Sequence, residues 1–109
     1  MKLKQHSDCN FEKCIAYIND NFCNPDLKIP DICRIGHISE ATLRRKFLMY
    51  REMSPKQYLM KLRMNKALTL LVKGEYSVKE ISRISGFNDE KYFSRIFKKT
   101  YSLPPSSFY

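Results

Sequence analysis

Two stretches of the chain set side chains at the i, i+3, i+4, i+7 spacing that gathers residues on one face of a helix. In the second stretch, Lys91, Ser94, Arg95 and Lys98 lie opposite Phe93, Ile96 and Phe97. In the first, Ala41, Arg44, Arg45 and Leu48 lie opposite Leu43, Phe47 and Tyr50. A guanidinium carries parallel donors that fit the two acceptors of a guanine edge or the oxygens of a phosphate. Lys and Ser can bond either, and an alanine methyl can only touch a thymine methyl or leave space. The chemistry within reach is hydrogen-bonded recognition of a polyanion. Glu90, next to Lys91, would meet phosphates unfavourably unless it accepts from a cytosine amino group or pairs with a nearby lysine. The alternative is that both faces are merely solvated, as most helix-borne Lys and Arg are.

Charge placement sharpens that choice. The net charge is +9; residues 1–38 carry five basic and five acidic side chains, and residues 39–109 carry fifteen and six, so the whole excess lies in the last two-thirds. Such a field attracts nucleic acid or an anionic membrane surface. The chain has no apolar run near the roughly 20 residues of a membrane span, so a cytoplasmic protein that uses no membrane is expected.

Other chemistries find little support. Cys9, Cys14, Cys23 and Cys33 are separated by four, eight and nine residues. With His6 and His37 they match no usual zinc spacing, and with no signal peptide ahead of them they read as reduced thiols. No phosphate-cradling glycine loop, carboxylate pair of a known motif or oriented Cys–His pair is present, so no enzyme, metal or cofactor is expected.

The elements that must position these faces can be read from periodicity and caps. Phe11, Cys14, Ile15, Ile18 and Phe22 predict a first helix, capped by Asp8 or Asn10 and closed before Pro25. Ile29–Gly36 predicts a short second helix with Pro30 in its first turn, and Ser39 caps a third. Ser54-Pro55-Lys56-Gln57 is a capping box that opens about 19 residues of helix to Lys73, roughly 28 Å long. That stretch carries Lys56, Lys61, Arg63, Lys66 and Lys73 and no acid, and Arg63 sits among apolar neighbours, placed either to brace the lobes or to touch phosphate. A second capping box, Ser77 to Glu80, starts a short helix ending at Gly86. Asn88 or Asp89 caps another, which Leu103-Pro104-Pro105 breaks, leaving Ser106 to Tyr109 for a last turn. The expected fold is all-α, about seven helices in two helix-turn-helix subdomains joined by a long linker helix. Its segments are a lead over 1–10, a first subdomain over 11–53, the linker over 54–74 and a second subdomain over 75–109.

An internal repeat underlies the division. Ile32-Cys33 and Ile38-Ser39 recur 49 residues later as Ile81-Ser82 and Phe87-Asn88, and Leu43, Arg45, Phe47, Pro55 and Tyr58 recur 50 later as Phe93, Arg95, Phe97, Pro105 and Phe108. The basic stripe therefore appears at the same place in both copies, each time on the helix after a tight turn. In such a unit the second helix buries one stripe and offers the other to the major groove. A protein-interaction module or a structured-RNA binder built on the same helices remains open, and salt dependence or direct competition between RNA and DNA would separate these readings.

The run Ile81-Ser82-Arg83-Ile84-Ser85-Gly86-Phe87-Asn88-Asp89-Glu90-Lys91-Tyr92-Phe93-Ser94-Arg95-Ile96-Phe97-Lys98-Lys99, followed by Pro104 to Phe108, resembles the DNA-binding domain of the AraC/XylS family of bacterial transcription regulators. The likeness covers about residues 11 to 109, and Arg63 with Ala67, Leu70 and Leu71 looks like the family's linker helix. It implies two helix-turn-helix units in successive major grooves of double-stranded DNA, with activation through RNA polymerase as the usual outcome. An upstream effector-binding or dimerisation domain is common in the family. By matching positions it implies base reading by Ala41, Arg44 and Arg45 in the first unit, and by Glu90, Lys91, Ser94 and Arg95 in the second. Four positions depart from the family pattern: His37 stands at the turn glycine, Lys46 replaces an apolar residue, and Glu52 and Ser102 stand where glycine commonly ends the recognition helix. His37 or Gly36 must then supply any left-handed turn conformation.

Overall fold

The computed structural model describes residues 8–108; most of the expected lead, residues 1–7, lies outside the described residues. Six helices follow in order: α1 (Cys9–Asn21), α2 (Ile29–Gly36), α3 (Glu40–Arg51), α4 (Pro55–Lys73), α5 (Val78–Ile84) and α6 (Glu90–Tyr101), closed by a 3-10 turn over Pro105–Phe108. Helix α1 begins at Cys9 because the Asp8 carboxylate accepts from the Phe11 amide at 3.2 Å, so Cys9 and Asn10 belong to the helix. No strand occurs among the described residues. The chain divides into two compact units, the first running to Asn21 and then over Asp26–Leu59, the second made of Phe22–Pro25 and Met60 onward.

In the first unit α1 packs on α2 and α2 on α3 around Phe11, Cys14, Ile18, Ile32, Leu43 and Phe47. Phe11 meets Phe47 edge to face, with centroids 5.0 Å apart, and Tyr58 covers Phe47 at 5.3 Å. Both halves of the expected capping box form at the start of α4. The Ser54 amide donates to Gln57 Oε1 at 2.8 Å, and the Gln57 amide donates to Ser54 Oγ at 3.1 Å. The turn between α2 and α3 is made by His37, at φ 55°, and not by Gly36. Gly36 answers a different need: a Cβ there would run into Cys14 Sγ and lie 3.0 Å from the Asn10 carbonyl, so its missing side chain lets α2 close on α1. With the glycine used for that approach, the next residue takes the left-handed conformation.

The second unit buries Met64, Ala67, Leu70, Leu71, Ile81, Phe87, Phe93 and Phe97, with Phe108 edge-on to Phe97 at 5.6 Å. The Ser77–Glu80 capping box is complete, with bonds of 2.9 and 3.1 Å. Here the turn residue is Gly86, at φ 104°, and a Cβ on it would lie 2.7 Å from the Phe22 carbonyl, so one glycine meets both the conformational and the packing demand.

The repeat is structural as well as sequential. Helices α3 and α6 occupy residues 50 apart at both ends, and the left-handed residues that flank them fall in matching pairs, His37 with Gly86 and Glu52 with Ser102. The inserted residue is Asn88. Asp89, whose carboxylate accepts from the Lys91 and Tyr92 amides at 2.9 and 3.4 Å, caps α6 and is therefore the counterpart of Ser39, in place of the Ser39–Asn88 match of the sequence.

Gly36→Ala should lower stability by about 1–3 kcal/mol, as overpacking does, whereas His37→Gly should raise it by about 0.5–1 kcal/mol through relief of left-handed strain. Urea unfolding of the two variants checks this; a well-tolerated Gly36→Ala would contradict the close approach of α2 to α1.

Candidate nucleic-acid interface

Each second helix of the repeat is fixed by one apolar stripe. Leu43 and Phe47 in α3, and Phe93 and Phe97 in α6, are wholly buried. The opposite stripe is consequently turned to solvent. Ala41, Arg44 and Arg45 on α3, and Glu90, Lys91, Arg95 and Lys98 on α6, are all exposed, and Ser94 is half-buried. The structure thus gathers the expected residues on two faces, one per unit. Leu48, at the place of Lys98, is an exposed apolar residue on the first face, 55 % accessible.

The first-turn carboxylates Glu40 and Glu90 are exposed at the N-termini of these helices, beside the donors. In α3, Arg44 lies 3.9 Å from Glu40, one turn earlier, with both side chains more than half exposed. Such an exposed pair adds little stability. In α6 the Arg95 guanidinium lies over the Tyr92 ring, 5.5 Å from its centroid.

Helix α3 is also tied to the start of α1. Lys46 Nζ donates to Asp8 Oδ1 at 3.0 Å and Tyr50 Oη donates to Asp8 Oδ2 at 3.2 Å, while the same carboxylate caps α1. Burial pulls the Asp8 pKa up, but the bonds from Lys46, the Phe11 amide and Tyr50, with the lysine's charge, outweigh it, and the carboxyl titrates below its ordinary value.

Arg63 is not at the candidate surface. It is 9 % exposed, its Nε donates to the Phe22 carbonyl at 2.7 Å and an Nη to the Asn24 carbonyl at 2.9 Å. Burial lowers its pKa from the ordinary arginine value. The sequence left open bracing of the two lobes or contact with phosphate; the bonds observed do neither and hold residues 22–25 within the second unit. Lys56, Lys61 and Lys73 of α4 are exposed and Lys66 half-buried.

All four cysteines are free; burial raises the pKa of Cys14, whose thiol donates to the Ile32 carbonyl at 3.5 Å, and likewise of Cys33. Among the described residues no group of three or more His, Cys, Asp and Glu side chains is placed to hold a metal, and no helix is long and apolar enough to cross a membrane.

Known proteins share the helix-turn-helix fold. A family model described as a helix-turn-helix domain matches residues 32–109, from within α2 to the end of the chain. The chain belongs to the AraC/XylS family. It is 33 % identical over 106 residues to the HTH-type transcriptional activator RhaR of Mannheimia succiniciproducens, covering 96 % of this chain and 38 % of that protein. The chain therefore spans well under half the length of the curated relative. Among solved structures it is similar to the C-terminal domain of AraT, a response regulator from Geobacillus stearothermophilus, with TM-score 0.85 and 28 % identity over 91 % of this chain and 82 % of that one. The fold is also that of the DNA-binding domain of AdpA, a global transcriptional factor solved with a target DNA. There the TM-score is 0.84 and the identity 22 %, over 94 % of this chain and 90 % of that one.

In this AraC-type domain, the neighbours of the donor side chains carry only weak signals in the sequence. Glu40 stands one helical turn before Arg44, and Tyr92 one turn before Arg95. Both spacings are visible in the sequence and are those at which helix side chains meet. The Asp8–Lys46 pair spans 38 residues and had no local signal, although Asp8 was expected as a cap and Lys46 stood out as a charge at an apolar place.

Asp8→Asn should destabilise the AraC-type domain by about 1.5–3 kcal/mol at neutral pH, the range for a hydrogen bond to a charged group. Because the folded pKa of Asp8 is depressed, its contribution is full above the ordinary value of about 4. It is lost as pH falls through the lower folded value. Denaturant unfolding of the chain and the variant between pH 7 and 3 should show the gap closing below about pH 4; a gap independent of pH would contradict the ion-pair account.

Proposed function

We propose that the chain binds double-stranded DNA sequence-specifically, with α3 and α6 as recognition helices in successive major grooves, as the DNA-reading module of a bacterial transcription activator acting in the cytoplasm. The observation that carries this reading is the repetition of one arrangement. In each unit the helix after a left-handed turn buries an apolar stripe and exposes a donor-bearing one. A solvated charged surface has no reason to recur at the same helix face 50 residues apart.

Roles within the faces follow from chemistry and helix position. Arg44, Arg45 and Arg95 are the candidates for guanine edges, and Ala41 for a thymine methyl. Lys91 and Ser94 are candidates for base or phosphate contact, Glu90 for a cytosine amino group, and Lys98, farther along α6, for phosphate. In a full-length regulator the module would act with an upstream effector-binding or dimerisation domain and with RNA polymerase; the RhaR activator it resembles is more than twice its length.

The affinity for a preferred duplex should fall steeply with salt, with a log–log slope of about −0.9 per phosphate neutralised. Arg95→Ala should cost about 1–3 kcal/mol and relax preference at one base pair, while Lys98→Ala should weaken all duplexes alike and reduce the slope by about one. Fluorescence anisotropy titrations over a salt series check both. Salt-insensitive binding would favour a protein-interaction module, and preference for RNA in direct competition would favour an RNA reader.

A further inference from the structure

Arg95 is exposed on α6, and a long exposed arginine spreads over many rotamers, so fixing it for a two-donor bond costs conformational entropy on binding. Its guanidinium carbon nevertheless lies 5.5 Å from the centroid of the Tyr92 ring. A cation is attracted to the electron-rich face of an aromatic ring, and a planar guanidinium can rest on that face with its donors still pointing outward. The ring is a fixed platform. Tyr92 is half-buried and tilted against Phe87, with centroids 6.1 Å apart, and Phe87 is almost wholly buried. Phe87 is held in turn by Phe93 at 5.1 Å and by the guanidinium of Arg63, 5.9 Å from its centroid, which the Phe22 and Asn24 carbonyls lock in place.

We infer that Tyr92 is a positioning residue for base recognition: it holds the Arg95 guanidinium ready at the groove face, and the buried chain of Phe87 and Arg63 keeps Tyr92 in place. This rests on the reading of α6 as a recognition helix and adds a specificity role for a residue that itself need touch no base. Among the described residues of the first unit no ring is placed under Arg45 in this way. The counterpart of Tyr92 is Thr42, whose hydroxyl is engaged with Ser39 Oγ at 2.9 Å, so Arg45 has no ring beneath it from that position.

The test uses the 109-residue chain and a duplex selected with it from a random-sequence library, together with every single-base-pair variant of that duplex, titrated by fluorescence anisotropy at one salt concentration. Arg95→Ala marks the base pair at which discrimination collapses. Tyr92→Leu and Tyr92→Met, which both remove the ring, should lower discrimination at that pair by about 2- to 5-fold, the equivalent of an exposed cation–π contact. Other pairs should be unaffected. Tyr92→Phe, which keeps the ring, should restore most of the loss. Combined with Arg95→Ala, Tyr92→Leu should change nothing further at that pair, as expected for two residues acting through one contact. A ringless variant that weakens all duplexes equally, or a Tyr92→Phe variant no better than Tyr92→Leu, overturns the positioning role while leaving DNA reading intact. Failure of the unaltered chain to select any preferred duplex would instead overturn the DNA-binding reading beneath it.

Discussion

The structure depends on the removal from water of two side chains, one turn apart, in the second helix of each repeat: Leu43 and Phe47 in α3, Phe93 and Phe97 in α6, all wholly buried. Burying side chains of this size is worth about 1.5–3 kcal/mol each, whereas an exposed charge pair contributes about 0–1 kcal/mol. Packing therefore decides how each helix is rotated, and the charged stripe faces outward as a consequence. Because the donors contribute so little to folding, their identities are free to serve recognition. Ala41 and Leu48 can stand in one copy where Lys91 and Lys98 stand in the other without disturbing the frame.

The two units meet one backbone demand with different residues. Each needs a left-handed residue between its paired helices and another at the end of its second helix, and these fall at His37 and Gly86, then at Glu52 and Ser102. In the second unit Gly86 serves both as turn and as the point of close approach to the Phe22 carbonyl. In the first unit the two tasks are split between adjacent residues, with Gly36 against Cys14 and His37 in the turn. Ser85, the counterpart of Gly36, is fully buried, and its hydroxyl has no hydrogen-bond partner among the described residues.

Much of the fold was legible because its signals are local. Ser54 with Gln57 and Ser77 with Glu80 announce helix starts through bonds made within four residues. The apolar periods of α3 and α6 announce which face is buried, and the repeat tied those faces together. What the sequence could not supply were partnerships fixed only by the folded chain. Arg63 reaches backbone carbonyls some 40 positions away, at Phe22 and Asn24, and carbonyls carry no sequence signature. Asp8 joins Lys46 across 38 residues. The division of labour between Gly36 and His37 depends on how near α1 comes, which periodicity does not report. At the candidate interface the donors were legible, and Tyr92 and Glu40, which lie beside two of them, stood at helical spacing but looked like ordinary neighbours.

If two separate helices place arginine donors against guanine edges in the major groove, methylation of guanine N7 must disturb binding at both places. In a methylation-interference experiment on a selected duplex, modified guanines should block binding in two clusters centred about one helical turn, roughly 10 base pairs, apart. Interference confined to a single cluster, or binding indifferent to N7 methylation throughout, would contradict that placement.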